Sequence, residues 1–288
     1  LQLNLPRLWS GFQIYGDGTT ATSYAVNAVI LGAILIAITT AINAWSVRLM
    51  ALINSVGVFV ELIAAVLIAV ILACNVTRGP QVFFSTHGYG AGESGGYLGA
   101  FLVASLASGY VMYGFDTASS LGEETVEPRR TAPKAILRAI LASFVIGGAI
   151  LVFAIMAAPD LDDPKLGRPD GSLQYIVEAV MWGPLGKIFL VAIVIAVIVC
   201  SLAVHTAAIR LMFAMARDNA LPFGAHLAKV DPKRQTPVIP AFVIGILAVL
   251  ILVVNIGQPK IFTVLTSIAI IMIYLAYLLV TMPMLLKR

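Results

Sequence analysis

Seven long stretches of apolar residues divide this chain, and each is nearly free of charged side chains. A helix needs about 20 predominantly apolar residues to cross the hydrocarbon core of a bilayer. The pattern therefore predicts an all-α membrane protein with about seven transmembrane helices in one transmembrane domain, residues 1–288. The predicted spans lie near residues 21–42, 49–73, 97–121, 139–158, 188–209, 238–256 and 261–286.

Composition leads to the same conclusion independently of the pattern. The 288 residues are 60% hydrophobic and 11% charged, and the mean hydropathy is +0.99. Soluble domains carry about 25% charged residues. The lipid bilayer is therefore the expected partner, and the chain should cross a cell membrane, plasma or inner, several times. Because the last span runs directly into Lys287-Arg288, we expect the chain to be truncated at one or both ends.

The basic residues predict an orientation. If the loop after the third span is cytoplasmic, 12 of the 18 Lys and Arg residues lie inside and the other 6 lie outside. The positive-inside rule then places Leu1 outside and Arg288 inside. The net charge of +4 thus reflects membrane topology. No basic patch interleaved with aromatic residues lies outside the spans, so nucleic acid is not an expected partner.

The third span carries Gly114-Phe115-Asp116 near its middle. In hydrocarbon every backbone group needs a partner, so a helix-loosening glycine and an aspartate persist there only where they face protein or a watery cavity. Such cavities usually serve solutes, which favours a solute transporter. In this interpretation Tyr113, Gly114 and Phe115 form an unwound turn whose carbonyls accept hydrogen bonds from a substrate ammonium. The alternative is a glycine that only lets two helices approach closely.

Three ionisable side chains inside the predicted spans are candidate coupling or gating groups: Glu61, Asp116 and His205. Glu61 is a candidate proton carrier because burial favours the protonated carboxyl; alternatively it pairs with a polar group of the bundle such as Ser201 or His205. Asp116 can act as a gate and can also cap the inner half of a broken helix. His205 lies one helical turn from Ser201 and is either a hydrogen-bonded structural residue or a proton carrier.

The sequence predicts no enzyme chemistry. No nucleophile, base and orienting carboxylate occur at a recognisable spacing. Cys74 and Cys200 lack metal-ligand spacing to a second Cys or His, so they are expected to be small buried residues. The glycine-rich segment 88–96 lacks the Lys-Ser/Thr of a phosphate-binding loop. We therefore expect no cofactor and no metal.

Two motifs resemble a known family. The first comprises Gly114-Phe115-Asp116, Glu123-Glu124, Pro128, Arg129-Arg130 and Pro133, and the second runs from Arg210 to Pro222. They are similar to the sixth helix, and to the loop after the eighth helix, of the amino acid–polyamine–organocation superfamily. The resemblance covers nearly the whole chain. It implies an incomplete leucine-transporter-type bundle of 5+5 inverted repeats, from the family's fourth helix to its tenth.

The resemblance also implies roles for individual residues. Tyr110 matches the family's aromatic residue that covers the substrate. The region of Ser201, Val204 and His205 corresponds to one that borders the substrate. At roughly the position of Glu61, proton-coupled relatives often carry a lysine, so this chain departs from the family there. The family's glycine-rich break in its first helix has no counterpart in this sequence.

We therefore expect a permease, a secondary active transporter that moves amino acids or related amines by alternating access in symport or antiport. Coupling to protons is expected rather than coupling to sodium, with exchange as a further mode. One alternative is a substrate-sensing membrane receptor built on a transporter fold, which a large soluble signalling extension would favour. Another is an ion channel, which should offer rings of carbonyls or charges along a continuous pore.

Overall fold

The structure is a computed structural model, and it describes residues 12–16, 21–85, 95–112, 114–115, 125–167, 172–181, 183–257 and 259–287. All regular structure in these ranges is helical. The α-helices are α1 (Ala21–Trp45), α2 (Val47–Cys74), α3 (Gly96–Met112), α4 (Pro128–Ala157), α5 (Ser172–Val180), α6 (Pro184–Arg217), α7 (Gly224–Leu227), α8 (Val238–Gly257) and α9 (Pro259–Leu286). Short 3₁₀ helices at Pro80–Phe84 and Pro164–Gly167 follow α2 and α4.

A helix overlaps each of the predicted spans. Among them α1, α2, α4, α6 and α9 are long and apolar enough to cross a membrane. α8 contains a shorter apolar stretch, Val238–Val254, and α3 ends at Met112 after 17 residues. The all-α membrane fold predicted from the sequence is confirmed within the described ranges. The exact span limits and the inverted repeat stay predictions.

Two helical segments differ from the sequence prediction. α4 begins at Pro128, whereas its predicted span begins at residue 139, so its first turns carry basic residues. α5 occupies part of a predicted outer loop. With 9 residues it is too short to cross a bilayer. It is anchored by Val177, which is fully buried in a cluster with Met181 and Phe189, and Ile68 and Ile71 of α2 pack against this cluster.

Glycines set the closest helix contacts in the bundle. α1 packs extensively against α8, and α6 lies beside α1, α2 and α8. A Cβ on Gly245 of α8 would overlap the Thr40 side chain of α1, and a Cβ on Gly57 of α2 would overlap Val199 of α6. Small residues let helix backbones approach closely, and the resulting van der Waals contact is a main source of helix association in lipid.

Arg78 and Thr77 hold the end of the bundle that the sequence predicts to be outside. The guanidinium of Arg78 donates hydrogen bonds to the carbonyls of Ala158 and Pro159. Thr77 Oγ1 donates to Met156 O at 3.2 Å. The last carbonyls of a helix lack partners inside the helix. The connection after α2 therefore caps the C-terminus of α4 and ties the two helices together.

At the opposite end, the loop before α8 packs on the junction of α1 and α2. Thr236 Oγ1 donates to Ala44 O at 2.9 Å, and the Arg234 guanidinium lies 4.8 Å from the centroid of the Trp45 ring. The backbone N–H groups of Arg234 and Lys233 donate to Asp231 Oδ1 and hold the pKa of that carboxyl below its ordinary value. This loop therefore holds the ends of α1 and α8 together.

Candidate functional site

The third predicted span stops being helical before its end, within the part of it that the structure describes. α3 ends at Met112, and Gly114 has φ +86°, a backbone region that residues with a Cβ rarely adopt. The N–H of Gly114 donates to the hydroxyl of Tyr277 on α9 at 3.3 Å. The Phe115 ring packs against the Tyr277 ring with centroids 4.8 Å apart. Two predicted residues, Tyr113 and Asp116, lie outside the described part of the chain, as does the side chain of Tyr110.

A second tyrosine of α9 holds the end of α3 in place. Tyr274 Oη donates to Gly109 O at 3.1 Å, and the Tyr274 and Tyr277 rings meet edge to face with centroids 5.8 Å apart. A Cβ on Gly109 would lie 3.3 Å from the Tyr274 ring. The sequence analysis missed both tyrosines. Their spacing of three residues, which puts two polar hydroxyls on one helix face, was the available signal.

Three predicted site residues line one cavity between α1, α6 and α8. This cavity has a volume of about 800 Å³, and Ser201, Val204 and His205 form part of its α6 wall. Most of the remaining lining is apolar, with Leu35 and Ile244 as examples. Ser201 Oγ donates to Val197 O at 2.7 Å, a bond within its own helix. The cavity thus offers a mainly apolar surface with few polar groups.

His205 connects α6 to α1. Its buried ring places Nδ1 2.9 Å from Thr39 Oγ1. The backbone of Ala241 lies close to the ring, but Nε2 is buried and makes no hydrogen bond of normal geometry with the described residues. The imidazole therefore bonds to α1 and lies against the backbone of α8.

A second buried pair continues this polar contact, and the sequence analysis missed it. Thr206 Oγ1 donates to Asn43 Oδ1 at 2.7 Å, and Asn43 Nδ2 donates to Thr39 O at 2.9 Å. Thr39 and Asn43 lie one turn apart on α1, so their spacing was the available signal. Buried hydrogen bonds of this kind fix the register of α1 against α6.

Glu61 lies on the face of α2 that meets α6, one turn after Gly57. Its Oε1 is buried and has no hydrogen-bond partner among the described residues. Ser201 and His205, the partners considered from the sequence, bond elsewhere. Cys200 lies within range of the Glu61 charge and lines the cavity of about 800 Å³. Glu61 itself does not line this cavity.

The expectation that both cysteines are buried is wrong, because Cys74 and Cys200 are exposed. Cys74 is the last residue of α2, and Cys200 lines the open cavity. Within the described ranges, no group of three or more His, Cys, Asp or Glu side chains has the geometry to hold a metal ion. The described site therefore consists of backbone groups, hydroxyls, an imidazole and one carboxyl.

Comparison with known proteins decides the family. Residues 11–288 match the family model described as amino acid permease. This chain belongs to the amino acid permease family. The match confirms the resemblance to the amino acid–polyamine–organocation superfamily and makes this permease a multi-pass protein of the cell membrane.

The relatives include transporters from bacteria and plants. The permease is 29% identical to the low-affinity putrescine importer PlaP of Escherichia coli K12 over 75% of this chain and 47% of that protein. It is 28% identical to the amino-acid permease BAT1 homolog of Oryza sativa over 78% of this chain and 44% of that protein. It is 26% identical to the branched-chain amino acid permease BcaP of Bacillus subtilis over 77% and 46%. The alignments thus span slightly less than half the length of each relative.

Proposed function

We propose that this permease takes part in secondary active transport of amino acids or related amines by alternating access. The observation that carries the proposal is the end of α3 at Met112, inside the predicted third span, followed by Gly114 at positive φ. A helix that stops inside the membrane leaves carbonyls without partners, and these can accept hydrogen bonds from an ammonium group. The names of PlaP and BcaP support the substrate class, since one imports putrescine and the other is a branched-chain amino acid permease.

In this proposal the substrate lies between the break and the α6 wall. Tyr110, Tyr113 and Phe115 surround the substrate at the broken helix, and Asp116 gates its release. Ser201 and Val204, which line the cavity between α1, α6 and α8, would supply the second wall. The apolar lining fits a hydrocarbon side chain, and backbone carbonyls at the break would accept hydrogen bonds from the amine.

Proton coupling is assigned to Glu61, with His205 as the second candidate carrier. A charged carboxylate at the centre of a span costs about 2.5–3.5 kcal/mol on insertion scales. Glu61 Oε1 has no described partner that would offset this cost. A proton taken up from outside neutralises the group, and its release inside would couple substrate movement to the proton gradient. The proximity of Glu61 to Cys200, which lines the cavity, supports this role.

The proposal is tested at Gly114. Gly114→Leu in the full-length protein adds bulk at a backbone conformation that suits glycine, so uptake of radiolabelled putrescine and branched-chain amino acids into liposomes should be abolished. Membrane insertion should be unchanged because no polarity is added. The matched control is Gly148→Leu on α4, where an added Cβ meets nothing within 4 Å.

Retained uptake in the control and loss in Gly114→Leu would support a substrate turn at the break. Equal uptake by both variants would rule out the turn at Gly114 as the site. If neither solute is transported by the parent protein, a wider panel of amino acids and amines decides the substrate before the variants are compared.

A further inference from the structure

One face of α4 carries basic side chains at the end predicted to be cytoplasmic. Arg130, Lys134 and Arg138 are all exposed. Since an α-helix turns by about 100° per residue, residues four apart lie within about 40° of one another around the axis. The three side chains therefore form a single stripe along the first turns of the helix.

The same face continues as apolar surface deeper along α4. Leu137 is 61% exposed, Leu141 62% and Phe144 67%. By the same helical geometry these residues lie within about 40° of Arg130 around the axis. Neighbouring helices pack elsewhere, since α4 contacts α2, α3 and α5 through other positions such as the buried Ala154 and Ala157. The exposed face thus changes from basic to apolar along its length.

The three basic side chains have no acidic partner in the described structure. Within the described ranges, the close ion pair on the predicted inner side joins Arg217 to Asp218 at 3.6 Å. This pair lies at the end of α6 and does not involve α4. A cationic stripe that leads directly into an apolar surface matches the chemistry of a phospholipid, with the phosphate at the charged end and acyl chains along the hydrocarbon side chains.

We propose that the face formed by Arg130, Lys134, Arg138, Leu137, Leu141 and Phe144 binds an anionic phospholipid. The phosphate accepts charge-assisted hydrogen bonds from the stripe, and the acyl chains pack on Leu141 and Phe144. The predicted orientation places the stripe in the inner leaflet, where anionic lipid attracts basic segments close to a span. The site is separate from the cavity between α1, α6 and α8.

The proposal is tested by titrating the purified protein in neutral detergent with phosphatidylglycerol and recording the rise in Tm. Lys134→Gln should raise the concentration needed for half of the full shift by about fivefold, and the triple change R130Q/K134Q/R138Q by about 100-fold. Arg129→Gln is the matched control, because it removes the same charge about 100° around the helix from Arg130 and outside the stripe. Its titration should match the parent protein.

Three results would overturn the proposal. Phosphatidylcholine could raise Tm as effectively as phosphatidylglycerol, which would show that charge is not recognised. Soluble glycerol phosphate could act at the same concentration as the lipid, which would remove the role of the apolar face. Lys134→Gln could behave like Arg129→Gln. The Tm of each variant without lipid shows whether it folds, so a failure to fold is not mistaken for a loss of binding.

Discussion

At the scale of single residues, the most informative side chains are those with unmet hydrogen-bonding capacity. The sequence could identify Glu61 and His205 because ionisable groups are rare in spans. It could not identify their partners, since the choice among Ser201, Thr39 and solvent depends on how helices far apart in the chain pack together. In the structure, His205 Nδ1 lies within hydrogen-bond distance of Thr39 Oγ1, and Glu61 Oε1 has no hydrogen-bond partner among the described residues.

We expect Glu61→Gln to separate coupling from structure. The amide keeps the shape of the carboxyl but cannot ionise, so the rise of uptake between about pH 8 and about pH 5 outside should flatten while substrate exchange persists. The measurement is radiolabelled uptake into liposomes with and without a proton gradient. His205→Gln, which tests the second candidate carrier, is measured in parallel and should keep the pH profile if Glu61 carries the proton.

An unchanged profile in Glu61→Gln would exclude Glu61 as the carrier. If the profile flattens in His205→Gln instead, the imidazole is the carrier. If both variants keep the profile, Asp116 becomes the next candidate. A fall in Tm without a change of profile would assign Glu61 a structural role, because a buried carboxyl that only fills space contributes through its packing and hydrogen bonds.

At the scale of elements, the long helices were predictable and the short ones were not. An apolar run of about 20 residues is a strong signal because lipid imposes it on the helix. α5 has 9 residues, and its helix depends on tertiary contacts such as the packing of the Val177 cluster with α2. The local sequence pattern does not predict such contacts. The sequence analysis also did not predict that α4 begins as early as Pro128. Hydropathy shows where a helix enters the lipid, and a helix can begin several turns before that point.

The crossing of α2 and α6 makes a testable element-scale prediction at Gly57. Gly57→Ala should lower stability by about 1–3 kcal/mol, because the added methyl overlaps the stiff β-branched side chain of Val199. Thermal unfolding in detergent measures the change. Gly148→Ala is the matched control, since an added Cβ there meets nothing within 4 Å, and it should leave Tm unchanged or raise it slightly.

Val199→Ala should relieve the overlap, so the double variant Gly57→Ala/Val199→Ala should recover part of the loss. Additive effects of the two changes would show that the residues do not meet and would contradict the close approach of α2 and α6. A cavity left by Val199→Ala alone should cost stability, and that single variant completes the cycle.

At the scale of the whole molecule, the arrangement of spans is testable by labelling from the two sides. In a Cys74→Ser/Cys200→Ser background, a cysteine at Ser172 should react with an impermeant thiol reagent from outside. A cysteine at Thr131 should react only after the membrane is permeabilised. The two single cysteines control for each other. Equal labelling of both from outside would overturn the predicted orientation and the inner-leaflet placement of the α4 stripe.

The described site was predictable in its parts and not in its arrangement. The break at Gly114 followed from one glycine and one aspartate in hydrocarbon. The α6 residues followed from the family resemblance. What joins the break to the rest of the molecule, the pair Tyr274 and Tyr277 on α9, required the fold, because more than 150 residues separate them from α3.

The contact between the Gly114 turn and α9 has a consequence for how the two segments can move. The Gly114 turn contacts α9 through a hydrogen bond to Tyr277 and through the Phe115 ring. If the turn moves, either α9 moves with it or these contacts break. A hydrogen bond contributes about 0.5–1.5 kcal/mol net to stability. We therefore expect a movement of the turn to be linked to a movement of α9 through Tyr277.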